Sequence, residues 1–207
     1  MTTALKQLAE NHAEVMRITV DQYHRMMETG ILQEGDPFEL INGFIIRKDR
    51  SAVGEDPMTV GHEHIWSVKM LARLNPKLIR LGCHMQTQDP VILTDLSEPA
   101  PDGTILLGDE DRYKSRKPVA AEVQCVIEVS ASTLDYDRTT KLAMYANSGI
   151  PQYVIVNLPD RMLEIYTNPL AKKGRYLNVE TLKPGMRLPL FASEGRRLEI
   201  AVRSLLP

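Results

Sequence analysis

From Ala120 to Val129 the chain is almost continuously apolar, interrupted only by Glu122, Gln124 and Glu128. Such a run reads as a strand covered on both faces, because a strand open to water on one side would alternate apolar and polar residues. A polar turn, Ser130 to Thr133, follows, and Asp137 then reads as the N-cap of a helix over residues 138–148. That helix closes with Gly149 and Ile150-Pro151, and Gln152 to Asn157 returns to strand character. A strand, helix and strand in succession need a right-handed crossover if the strands are parallel, which confines the chain to an α/β or α+β core. The arrangement also leaves a carboxylate, Glu128, near the end of the buried strand, and a lysine, Lys141, on the helix after it.

The rest of the chain supplies the remaining layers. Leu5, Leu8, Ala9 and His12 recur at helical spacing, and Thr19 is placed to cap a second helix from Val20, ending near Gly30 and Gly35. Phe38 to Ile46 flanks Asn42-Gly43 with β-rich runs, a strong hairpin signal because both turn residues tolerate positive φ, and Glu39 lies on its first strand. Residues 47–60 are charged and irregular. Ile65, Val68, Leu71 and Leu74 predict a helix from His64 to Leu74, stopped at Asn75-Pro76. Leu81 to Leu93 is strand-like, and a turn-rich loop at 94–101 leads to Asp102 and a short strand at Thr104 to Leu107. Short strands, including Met162 to Thr167 and Arg175 to Glu180, end the chain.

Composition limits the function classes. The 207 residues suit a single domain, 43% of them hydrophobic and 25% charged, as in ordinary soluble proteins. The formal net charge of -2 gives no general attraction to nucleic acid, so any DNA contact has to be local. Cys83 and Cys125 are far apart, with no paired spacing, and are expected as reduced thiols in a cytoplasmic protein. No apolar run approaches the ~20 residues that span a bilayer, and no secretory signal pattern is present, so no membrane association is expected. There is no glycine-rich phosphate loop, hence no nucleotide cofactor, no serine-esterase elbow, and no histidine or cysteine pairing suited to zinc.

Asp102, Glu128 and Lys141 carry the chemistry of most interest. Carboxylates at the ends of neighbouring strands, ~4.8 Å apart in a sheet, repel each other and are relieved by a hard divalent ion, and a lysine alongside supplies positive charge for a phosphate or an attacking water. Hydrophilic strand ends and a solvated helix lysine account for the same residues, and spacing alone does not separate the two. Tyr145, four residues after Lys141, shares its helix face, where it packs over the lysine stem or donates to a carboxylate. Arg112, Lys114, Arg116 and Lys117 form a basic loop, either solvated or in contact with phosphate.

The sequence resembles a known family in several motifs at once. Phe38-Glu39-Leu40-Ile41-Asn42-Gly43, Gly61 with His64, Ser97 through Asp102, Ile127-Glu128-Val129-Ser130, Tyr136-Asp137-Arg138, Lys141-Leu142 and Tyr145 through Pro151 look like the successive motifs of the Uma-two family of restriction-endonuclease-like proteins, a branch of the PD-(D/E)XK nuclease superfamily. The likeness runs over residues 18–165, leaving 166–207 as a β-rich extension of a single domain. It implies a restriction-endonuclease-like core, a mixed sheet flanked by helices. It also implies a metal-dependent endonuclease in which Asp102, Glu128 and the Val129 carbonyl hold Mg²⁺ or Mn²⁺. The parent pattern has a lysine two residues after the second acid, where this chain has Ser130, and Lys141 stands where this branch draws that lysine from the next helix. Glu39 matches the family's N-terminal acid, which would hold a second ion or a water of the first. His64 matches the family's histidine at the start of a helix, either reaching a phosphate or a ligand carboxylate or serving as a structural hydrogen-bonder, and Gln88 matches a polar position before Asp89-Pro90 that lines the cleft.

The reading drawn from all of this is a Mg²⁺-dependent DNA endonuclease, expected as a homodimer because a two-fold pair of sites suits double-strand cleavage. A catalytically silent nuclease-fold module that binds DNA or a protein partner is the alternative, and an assembly role for the C-terminal strands is compatible with either.

Overall fold

The computed structural model describes residues 15–33, 35–47 and 61–207. The helix expected around Leu5 to His12 and nearly all of the irregular stretch expected at 47–60 lie outside them. Helix α1 (Val20–Glu28) begins at a reciprocal cap, with the Gln22 N–H donating to Thr19 Oγ1 at 3.2 Å and the Thr19 N–H donating to Gln22 Oε1 at 2.9 Å. Strands β1 (Phe38–Ile41) and β2 (Phe44–Arg47) form the Asn-Gly hairpin, with φ of 52° at Asn42 and 80° at Gly43. Helices α2 (His62–Ala72) and α3 (Asn75–Ile79) precede β3 (Cys83–Gln86), β4 (Gly103–Leu107) and β5 (Val123–Ser130). Helix α4 joins an opening turn (Leu134–Tyr136), a π turn (Asp137–Lys141) and an α segment (Leu142–Asn147). Then come β6 (Gln152–Asn157), β7 (Met162–Leu170), β8 (Arg175–Leu182), β9 (Arg187–Phe191) and β10 (Arg197–Ala201).

The main sheet has the order β3-β4-β5-β6-β7-β8. Only β5 and β6 are parallel, as the α4 connection between them requires, and the other neighbours are antiparallel. The architecture is α+β, a mixed sheet flanked by helices. The near-continuous apolar character of β5 has the expected cause. Cys125, Ile127 and Val129 join Val68, Leu71 and Leu74 of α2 and its C-terminal flank, together with Leu188, Leu190 and Ile200 of the β9/β10 hairpin. Val126 faces the other way, into a core with Met144, Tyr145 and Ala146 of α4. Glu128 takes its place on that second face, buried at 4% exposure, so the one carboxylate of the strand's end points at the helix that carries Lys141.

Three expectations are corrected. The helix starts at His62 and ends at Ala72, and Pro76 does not stop a helix but lies in the first turn of α3, where its missing N–H costs nothing. The strand expected from Leu81 to Leu93 is confined to Cys83–Gln86, because Gln88 takes a left-handed φ of 58° and Pro90 brings no ladder donor. Asp137 is not an N-cap: its φ of -69° and ψ of -38° are helical, and its side chain is buried. Both cysteines are free and buried, and among the described residues no helix is long and apolar enough to cross a membrane.

Loop 94–100, which delivers Asp102, is laced to the β1/β2 hairpin. The Asn42 N–H donates to Ser97 Oγ at 2.9 Å, the Gly43 N–H to the Leu96 carbonyl at 2.6 Å, and the Glu98 N–H to the Leu40 carbonyl at 2.8 Å. A Cβ on Gly43 would lie 2.5 Å from Arg17 Cβ on a backbone already in the left-handed region. Gly43→Ala is therefore expected to lower unfolding free energy by about 1–2 kcal/mol, from strain at a position only glycine adopts freely. Urea denaturation measures it, and an unchanged midpoint would show that the hairpin turn is not held in this conformation.

Candidate active site

Strand pairing brings the first two acids together. Gly103 pairs with Ile127, and that register, continued outward, sets Asp102 against Glu128 and Pro101 against Val129. A proline has no N–H to offer, so the ladder stops there. Asp102 Oδ2 accepts the Val129 N–H instead, at 2.9 Å. The N–H and carbonyl of one strand residue leave from the same edge, so the Val129 carbonyl faces the Asp102 side as well. Gly103 sits close under α2: a Cβ there would come within 2.9 Å of Leu71 Cδ1, so Leu71 would have to shift. The close approach brings α2 to the strand end, where His64 Nε2 lies 2.9 Å from Asp102 Oδ1. With an ionised Asp102 that nitrogen is the donor. Gln88 Nε2 reaches the same oxygen at 3.5 Å, a long contact.

Glu128 is held from the other side. Lys141 Nζ donates to its Oε1 at 2.8 Å and the Tyr145 hydroxyl donates to the same oxygen at 2.6 Å. Among the described residues no hydrogen bond goes to Glu128 Oε2. The π turn explains how Lys141 points inward: the Leu142 N–H reaches back five residues to the Asp137 carbonyl, a wider turn than an α-helix makes. Asp137 anchors that turn. Its carboxylate accepts from the Ser130 hydroxyl and from Thr133 Oγ1 at 2.7 Å, its carbonyl accepts from the Tyr153 hydroxyl at 3.2 Å, and Lys141 Nζ is 3.9 Å from Oδ1. Glu39, buried on β1, accepts the Ala100 N–H at 2.8 Å.

These side chains share one electrostatic environment. Burial pushes the Glu128 carboxyl up, Lys141 pulls it down, and Asp102, Asp137 and Glu39 push it up again, leaving it at about 7. Burial alone would lower the Lys141 ammonium, yet Glu128, Glu39 and Asp137 hold it well above its ordinary value. Both shifts favour the proton-bound form, as expected where four carboxylates face one ammonium. For Asp102 burial is the largest influence and acts upward, but the His64 bond and charge, the Val129 N–H and Lys141 outweigh it, so its carboxyl lies below the ordinary range and is ionised at neutral pH.

A surplus of buried negative charge, carried by hard oxygen donors, suits a divalent cation. Among the described residues no three His, Cys, Asp or Glu side chains are already gathered as a cage. Mg²⁺ is commonly held by only one or two carboxylates, with water completing its shell, and Asp102, Glu128 and the Val129 carbonyl are donors of that kind.

The basic loop lies apart and is engaged with acids. Arg116 donates to both oxygens of Glu122, at 2.8 and 2.6 Å, and Arg112 approaches the same carboxylate at 2.9 Å. The Arg116 bonds bring the Glu122 carboxyl down to about 2. Lys114 pairs with Asp111 at 2.8 Å, both well exposed, while Lys117 contacts buried Glu98 at 2.5 Å and His24 at 3.0 Å. Sequence reasoning missed this Glu98 cluster and also the Arg138 clamp on Glu164, which Tyr166 and Asn157 complete. Glu164 did leave a signal, an acid between Leu163 and Ile165 in an apolar strand.

Glu128 sets a pH dependence for the ion-free protein. Its carboxyl rises from 4.5 to about 7 on folding, so the folded state keeps a proton that the unfolded chain releases, and stability falls as pH rises through that window. The loss is on the order of 3 kcal/mol between pH 4.5 and 7. Chelator-treated Glu128→Gln should lack this component, and denaturation curves at pH 5 and 8 for the two proteins compare them directly. Equal pH slopes would mean that Glu128 is not held protonated.

Known proteins place this architecture. The structure is similar to the crystal structure of a protein from Anabaena variabilis described as a putative nuclease belonging to DUF820, with a TM-score of 0.62, 17% identity, and coverage of 91% of this chain and 97% of that one. At that identity the likeness shows a shared fold, which is restriction-endonuclease-like. No curated protein matches. The family model Uma2, described as "Putative restriction endonuclease", matches residues 20–203, and the chain belongs to the Uma-two family.

Proposed function

We propose that this protein is a metal-dependent endonuclease that hydrolyses DNA phosphodiester bonds, with Asp102, Glu128 and Lys141 at the centre of its site. The observation that carries the reading is the convergence of these three groups, with Glu39 beside them, in a buried pocket that has more negative charge than its own lysine neutralises. Membership of a family described as a restriction endonuclease supports it. In this reading Asp102, Glu128 and the Val129 carbonyl would hold Mg²⁺ or Mn²⁺, and Glu39 would ligate a second ion or hold a metal-bound water. When bound, the ion supplies Lewis-acid polarisation of the phosphate and neutralises charge that builds on it.

The chain's own groups do the rest. His64 keeps Asp102 ionised and turned toward the strand end, and Tyr145 fixes Glu128 Oε1. Lys141, protonated throughout, orients the attacking water or stabilises the phosphate as its charge rises. Hydrolysis joins the water oxygen to phosphorus and breaks one P–O ester bond, and the departing oxygen takes a proton. Arg112, Lys114, Arg116 and Lys117 would meet the DNA backbone by exchanging their acidic partners for phosphates. Action as a cytoplasmic homodimer belongs to the same proposal.

The pairing of the basic loop with Glu122, Asp111 and Glu98 favours the second reading, a silent module that binds DNA or a protein. Plasmid cleavage by the purified protein in Mg²⁺ or Mn²⁺ decides between them. The wild type should nick or linearise DNA only with the ion present. Asp102→Asn and Lys141→Ala should each reduce the rate by about 10²-fold or more, the scale for loss of one group that stabilises transition-state charge. Cleavage that persists in chelator, or variants that cut at the wild-type rate, would remove these residues from the mechanism.

A further inference from the structure

The six-stranded sheet ends in two unlike edges. Strand β3 is short and largely buried, and Asn75 Oδ1 accepts the Met85 N–H at 2.9 Å, taking up a donor of that edge. Strand β8, at the other end, is eight residues long and pairs with β7 on one side only. Among the described residues no hydrogen bond reaches residues 175–182 from anything but the β7 ladder, so alternate N–H and carbonyl groups of the strand face outward unpaired. Residues 177–181 are all exposed, Leu177 at 64% and Val179 at 62%. They include neither lysine nor proline, the residues that ordinarily keep an open edge from pairing, and Glu180 is their one charge.

We propose that β8 is a homodimer interface, pairing antiparallel with β8 of a second copy across a two-fold axis and joining two six-stranded sheets into one. A two-fold axis perpendicular to the sheet keeps each residue on its own face, so one residue lies on the axis opposite its own copy. With Glu180 there, two carboxylates would face each other, which is repulsive. With Asn178 there, Glu180 would meet Tyr176, whose side chain is already buried in the core under α4. With Val179 on the axis, Asn178 lies opposite Glu180 of the second copy, twice over, and its amide donates to that carboxylate. The two valines then meet as a β-branched cross-strand pair. The strand is complementary to itself in this register, and that selects a second copy over an unrelated extended peptide. The proposal supplies a surface for the homodimer put forward above; it draws nothing from the metal site, and its readouts are mass and crosslinking, so failure of one reading leaves the other untouched.

Sedimentation of the full-length protein should show a dimer. Val179→Lys sets two ammonium groups face to face and should raise the dimer dissociation constant about tenfold or more, with an unchanged circular dichroism spectrum because the side chain is exposed in the free protein. Val179→Cys places two thiols across the axis at a Cα separation of about 4.5–5.5 Å, which a disulfide spans, and mild oxidation should link the two copies. Thr181→Cys would lie about 14 Å from its own copy and should not crosslink. The native cysteines are buried and do not interfere. A wild type that stays monomeric at high concentration overturns the proposal, and so does a dimer that Val179→Lys leaves intact. Crosslinking through Thr181→Cys and not Val179→Cys would overturn the register.

Discussion

Glu128 is a carboxylate taken out of water near the end of a mostly apolar strand, and much of the structure near it answers that placement. An isolated buried carboxylate is very costly. Lys141 and Tyr145 both converge on its Oε1, and α4 widens to a π turn so that the lysine can arrive from the correct side. The compensation is incomplete, since Glu39, Asp102 and Asp137 add charge of the same sign. A protein built only for stability would put an apolar residue at this position, because buried ion pairs are poor stabilisers compared with well-packed hydrocarbon. Under the proposed function, the uncompensated charge is what a divalent cation would offset.

Ser130 clarifies how the lysine came to be on a helix. The short hydroxyl at this strand position bonds the Asp137 carboxylate, and with Thr133 it holds the turn from which Lys141 projects. A long basic chain at position 130 would compete for that space. The serine and the displaced lysine therefore form one structural solution, in which the strand residue supports the cation without supplying it.

Much of this could be read from the sequence, for reasons that differ by element. The β5 strand, the α4 helix with its glycine stop and the Asn-Gly hairpin are encoded by local apolar patterning and turn chemistry, which act within a few residues. Asp102 and Glu128 could be named from motif order, and the strand register then explains why they meet. The role of Asp137 was misread because a carboxylate before a helix looks the same whether it caps a first turn or is buried within a wider one, and π turns leave no periodic mark. The partners of Lys117 were invisible for another reason: Glu98 meets Lys117 and His24 through tertiary folding, where charge patterning along the chain carries no address. His64 could be singled out, but its bond to Asp102 spans 38 residues and depends on how α2 packs on the sheet.

One contact has a bearing on biosynthesis. The Ser67 hydroxyl, one turn beyond His64 on α2, donates to the Leu205 carbonyl at 2.8 Å, and the core under α2 is filled by Leu188, Leu190, Ile200, Val202 and Leu205. Chains emerge from the ribosome N-terminus first. When Lys141 has emerged, every acid of the pocket has been made, yet the floor beneath His64 still awaits a segment more than forty residues downstream. A chain made only as far as Lys141 thus carries the lysine and every acid of the pocket without the support that aligns them, and the order of synthesis keeps the pocket from maturing before most of the chain is present.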